Sequence, residues 1–146
     1  MKHQKGFTLP EVLVALLLVT LLCAFAVPSL LQSWQQVTLD AAVQQLHRDL
    51  RWAQRLAWQE QKRVTVTFFQ SRQPYYYVVR YAGNAQNLRH RVLPAKLKKI
   101  EAQTIIIQTD RTFQKNGHIL LQKGEEKRYV YFYQTGRTRL AKKALS

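Results

Sequence analysis

The chain has 146 residues, and its 23 lysines and arginines outweigh 8 acidic residues to give a formal net charge of +15. That balance favours nucleic acid or another anionic surface without naming one, while the length allows one modest domain beyond the apolar segment near its start. Cys23 is the single cysteine, so an intrachain disulfide is impossible. The four scattered histidines form no spaced metal-ligand set and no glycine-rich nucleotide loop is present, so neither an enzyme nor a cofactor or metal is expected.

Residues Met1–Gly6 (MKHQKG) are short and basic, and Phe7–Leu31 is almost wholly apolar. Val12–Leu31 runs for 20 residues without a charge, about 30 Å as a helix, enough to cross a bilayer core. The sequence therefore predicts a transmembrane helix over 7–31. Lys2 and Lys5 would stay inside and the rest of the chain would lie across the membrane. A cleaved secretory signal would have a shorter apolar core and a small-residue exit site after it. Here the small residue, Gly6, precedes the core. A cut between Gly6 and Phe7 would lower the net charge to +13 and leave Glu11 near the tip of the helix. A carboxylate there is either tolerated at the membrane edge or meets the free amino terminus of a neighbouring subunit.

Lys5-Gly6-Phe7-Thr8-Leu9-Pro10-Glu11 followed by the apolar helix resembles the class III signal of type IV pilins and type II secretion pseudopilins. The resemblance implies processing by a prepilin peptidase after Gly6, methylation of Phe7, and a role for Glu11 in subunit registration. It also implies storage as a single-pass precursor in the bacterial cytoplasmic membrane, with the lipid bilayer as a partner and the head outside the cytoplasm. Assembly would follow into a pilus or envelope-spanning filament with other major and minor pilins, through the inner-membrane pilus assembly platform. Pro28 falls where many pilins have a helix-loosening proline. Pro10 is less usual but lies in the first turn, where its missing N–H costs little.

Beyond Leu31 an amphipathic helix over 32–61 is expected. Leu39, Val43, Leu46, Leu50, Ala53 and Ala57 recur at alternating spacings of four and three, the repeat of one helix face laid on a partner surface. Arg48, Arg51 and Arg55 share a flank and read as a solvated face, with a ligand stripe the alternative. Trp52 and Trp58 read as core or interface residues rather than base-stacking ones.

Residues 62–146 form a predicted β-rich head holding 18 basic and 4 acidic residues. The sequence predicts strands over 64–69, 75–81, 88–93, 104–108, 118–122 and 127–134. Turns fall at 70–74, 83–87, Asn116-Gly117 and 123–126. The predicted fold class is α+β, with a long N-terminal helix, transmembrane and then amphipathic, packed by its C-terminal half against an antiparallel β-sheet. Within the pilin superfamily, Leu46–Ala57 running into Gln61–Val66 resembles the GspH/FimT branch.

At the end of the chain, Gly136-Arg137-Thr138-Arg139 is followed closely by Lys142 and Lys143. Guanidinium groups suit paired phosphate oxygens, and Arg137 and Arg139 point the same way if the segment is extended. The bland alternative is a solvated tail. Gly136–Arg139 is similar, residue for residue, to the G-R-x-R motif of FimT-type minor pilins active in natural transformation. The resemblance implies nonspecific double-stranded DNA binding through Gly136, Arg137, Arg139, Lys142 and Lys143. Arg89, Arg91, Lys96, Lys98 and Lys99 could widen that surface, and Tyr75, Tyr76 and Tyr77 could stack on bases, although at least one should be core. The alternative reading is a type II secretion minor pseudopilin that acts in filament initiation or assembly without binding DNA.

Overall fold

The computed structural model describes residues 9–71, 74–94, 96–100 and 103–144, apart from the side chains at 25, 26, 28, 29, 32 and 96–100. Gly6 and Phe7, the expected processing residues, lie outside the described residues. The chain divides into two compact units, Met1–Trp34 and Gln35–Ser146.

One helix, α1, runs from Leu9 to Gln59. Pro10 occupies its first turn, where no helical partner is waiting for an N–H. Its end is set by Gln61, which turns left-handed at φ 51° while its Nε2 donates to the Trp58 carbonyl at 2.7 Å.

In the first unit, Leu9, Leu13, Leu17, Leu22, Leu30 and Leu31 are exposed, as is Cys23, and Glu11 lies in the first turn of α1. Among the described residues no helix is long and apolar enough to cross a membrane. This finding corrects the predicted transmembrane helix over 7–31, and with it the single-pass membrane precursor.

The second unit joins the rest of α1 to eight strands: β1 Val64–Phe69, β2 Tyr76–Tyr81, β3 Arg89–Val92, β4 Lys96–Ile100, β5 Thr104–Ile107, β6 Gly117–Lys123, β7 Glu126–Phe132 and β8 Thr138–Ala141. They form two four-stranded antiparallel sheets, ordered β3-β2-β1-β5 and β4-β6-β7-β8, where the sequence predicts a single one. The first sheet is built on β1, whose alternation of buried and half-buried residues follows its Val-Thr-Val-Thr pattern. In the second, β6 and β7 form a hairpin closed by Gly124-Glu125, with Lys123 opposite Glu126 and Gly124 at φ 60°. Strands β4 and β8 escape sequence reading, since KLKKI and TRLA show neither clear alternation nor a run of β-branched residues. Their existence depends on pairing with β6 and β7.

All six members of the α1 stripe, Leu39, Val43, Leu46, Leu50, Ala53 and Ala57, are buried in one cluster. The first sheet adds Val64, Val66, Phe68, Tyr77, Val79, Ile105 and Ile107, and the second adds Ile119, Leu121, Val130 and Phe132. Two charged ties brace this packing. Arg128, almost buried, donates from Nε to Asp40 Oδ1 at 2.6 Å and from Nη1 to Glu126 Oε2 at 2.9 Å, and Gln36 donates to Glu126 at 2.9 Å. Asp49, 1 % exposed, accepts Tyr77 Oη and Arg89 Nη1, each at 2.6 Å, and Gln45 Nε2 at 3.2 Å. Each tie has one buried partner, Arg128 in the first and Asp49 in the second, and removing the groups that pair with it would leave a buried charge uncompensated.

Leu46 is wholly buried at the middle of the stripe. We expect Leu46→Ala to lower stability by about 2–4 kcal/mol, read as a reduced urea midpoint at unchanged slope.

Candidate anion-binding groove

Gln54 positions the site. It is buried on α1, and its Nε2 donates to two backbone carbonyls, Arg111 O at 2.7 Å and Gly136 O at 2.8 Å. One side-chain amide thus pins two turns to the helix, the one after β5 and the one between β7 and β8. The first turn is organised by Asp110, whose Oδ1 accepts Thr112 N at 2.9 Å and Thr112 Oγ1 at 2.6 Å. These hydrogen bonds hold the Asp110 carboxyl below its usual range. In the second turn Gly136 N donates to Tyr133 O at 2.8 Å and Tyr133 N to Arg137 O at 3.0 Å. Gly136 has φ +80°, and a Cβ there would sit 2.9 Å from the Arg111 carbonyl oxygen. Arg111 itself is left-handed at φ 70°, a costly conformation for a non-glycine residue.

Between α1, Arg89 and these two turns lies an open groove of about 890 Å³, lined by Arg48, Arg51, Arg55, Arg89, Arg111 and Arg137 along with His47, Trp52, Gln54 and Gly136. Asp110 is the one acidic residue lining it. Arg89 is committed to Asp49 and lies over the Trp52 ring at 3.8 Å, and Arg111 lies over the Trp58 ring at 4.5 Å. Arg48 donates to Gln45 at 3.1 Å. His47 Nε2 shares a 2.7 Å hydrogen bond with Thr138 Oγ1. Burial first, and the Arg51 guanidinium second, lower the His47 pKa below the ordinary histidine value.

The sequence-predicted residues divide between the groove and its surroundings. Gly136 and Arg137 line it. Arg139 lies on β8, paired with Tyr131 of β7, and does not line the groove; nor do the exposed Lys142 and Lys143. Arg91 sits 3.6 Å from Asp49, and Lys96, Lys98 and Lys99 fall on β4, their side chains outside the described residues. Tyr77 is buried, its phenol pKa raised by burial and then by Asp49, and Tyr76 stacks on Phe69 at 4.6 Å. Sequence reasoning missed Arg111, Gln54 and His47. It had placed Arg48, Arg51 and Arg55 on one helix flank without the wall that faces them.

The N-terminal residues 1–27 match the prokaryotic N-terminal methylation motif. Two crystal forms of the type IV minor pilin FimU of Pseudomonas aeruginosa (strain PAO1) superpose on the chain. One gives a TM-score of 0.61 at 16% identity, covering 73% of this chain and 90% of that one. The other gives 0.56 at 17%, covering 70% and 92%. The fold is that of a type IV minor pilin. No curated protein is significantly similar to the chain. Among the described residues no three of His, Cys, Asp and Glu are grouped to hold a metal ion.

Two outcomes follow from this geometry. Gly136→Ala should destabilise the chain by about 1–3 kcal/mol, because the left-handed backbone and the Arg111 carbonyl both oppose a methyl group. Stability should fall as the pH drops below the ordinary histidine value. There the unfolded chain takes up a proton at His47 that the folded chain resists, so the unfolded state holds more protons. Urea unfolding at about pH 7.5 and about pH 5.5 should show this loss, and His47→Gln should flatten it.

Proposed function

We propose that this chain is a minor subunit of a type IV pilin-like filament, acting in filament initiation or assembly. The fold likeness to a minor pilin carries this reading, and the methylation motif over residues 1–27 supports it. The exposed apolar residues from Leu9 to Leu31 supply a surface for packing against other pilins. On this reading a prepilin peptidase cuts between Gly6 and Phe7, Phe7 becomes the methylated amino terminus, and Glu11 pairs with the terminal amine of a neighbouring subunit. A pilus and a type II secretion filament make the same demands on these residues.

A second reading, capture of double-stranded DNA for uptake, is favoured by one observation. Gly136 and Arg137 of the Gly136–Arg139 segment border a groove lined by six arginines. Arginine contacts to phosphates give salt-sensitive affinity with little sequence preference.

In cells lacking the gene, the wild-type chain should restore filaments and Glu11→Ala should not; full restoration by Glu11→Ala would remove the registration role. A double-stranded DNA titration at two salt concentrations then separates the readings. DNA capture predicts affinity that weakens with salt and falls about tenfold in Arg137→Ala/Arg139→Ala. Absence of binding leaves the assembly role alone.

A further inference from the structure

The arginines of this head fall into two groups by what they touch. Arg128 is held by Asp40 and Glu126, and Arg89 and Arg91 face Asp49. Arg51, Arg55 and Arg137 line the groove, and their side chains make no ion pair and no hydrogen bond among the described residues. The groove's one lining carboxylate, Asp110, already accepts two hydrogen bonds from Thr112. Positive charge is thus collected in a concave site where six arginines face one carboxylate, an arrangement that focuses potential on an incoming anion.

We infer that Arg51 and Arg55 of α1, facing Arg111 and Arg137 across the groove, form the seat for a run of DNA backbone phosphates. The inference rests on the DNA-capture reading and moves its centre from the C-terminal strand to the helix. Arg48, Arg51 and Arg55 rise along one helix flank over about 10 Å, so a backbone lying along α1 meets successive guanidinium groups. Planar guanidinium forks match paired phosphate oxygens better than a single carboxylate needs. The opposite wall is fixed in place. Gln54 holds the Arg111 and Gly136 carbonyls, and the His47–Thr138 hydrogen bond ties the start of β8 to α1. Arg111 keeps its left-handed backbone at the rim of this wall, a strain consistent with a position set by function. Arg139, Lys142 and Lys143 lie off the groove and add only diffuse charge.

The test compares two variants of the full chain that lose the same charge, Arg51→Gln/Arg55→Gln and Lys142→Gln/Lys143→Gln. Glutamine keeps helix propensity close to that of arginine, and circular dichroism checks the fold. With a fluorescent DNA duplex, the helix pair should lose about tenfold or more in affinity and about two units of salt slope, while the lysine pair changes by less than about threefold. Equal losses in both variants, or no loss in the helix pair, would overturn the inference. Thermal unfolding with inorganic pyrophosphate separates the groove from the DNA reading. If the wild-type chain fails to bind the duplex but pyrophosphate raises its melting temperature, and not that of the helix pair, the DNA reading fails and the phosphate seat stands. If pyrophosphate and duplex both leave the wild-type chain unaffected, the seat fails as well.

Discussion

The second unit of this protein depends on one contact surface, the stripe that α1 lays on both sheets. Six residues from Leu39 to Ala57, spaced by four and three, contribute no polar side chain to the cluster they enter. Neither sheet has another helix among the described residues to cover it, so the stripe gives the inner residues of β1, β5, β6 and β7 their common apolar environment. Because α1 is regular through this stretch, placing its apolar face also places its flanks. Arg48, Arg51 and Arg55 stand where they do because Leu46, Leu50 and Ala53 are buried beside them.

Polar groups buried at the edge of that contact turn packing into a site. Gln54 follows Ala53 directly, yet its amide reaches two carbonyls from turns that are 57 and 82 residues away in sequence. Asp49 and His47 act in the same way, one through Tyr77 and Arg89 and the other through Thr138. Each uses the helix as a ruler against which a strand or turn is set. Such hydrogen bonds are worth little net in isolation, but leaving these groups unpaired would cost more than making the bonds gains. They make the groove wall a defined surface rather than a pair of mobile turns.

The distribution of charge follows from the same frame. The head has few carboxylates, and Asp40, Asp49 and Glu126 are spent on Arg89, Arg91 and Arg128, where they secure the fold. What remains around the groove is guanidinium, with Asp110 the one carboxylate lining it. Repulsion among these groups is tolerable because Arg48, Arg51, Arg55, Arg111 and Arg137 are exposed to water, and an anion entering the groove would relieve it.

Much was legible in the chain itself. The 3-4 spacing from Leu39 to Ala57 identified the buried face because helix periodicity is local, and the alternation of Val64–Phe69 identified a strand for the same reason. The apolar run near the start reads as a helix, and α1 begins within it at Leu9. Its membrane-spanning length was not upheld among the described residues. Tertiary structure alone decided the division into two sheets, since β4 and β8 have no periodicity of their own and form only by pairing with β6 and β7. It alone brought Arg111 and Arg137 opposite the helix arginines, because a single glutamine amide bonding to two distant carbonyls leaves no pattern in sequence. Period and propensity act between neighbours in the chain, whereas the groove is made by neighbours in space.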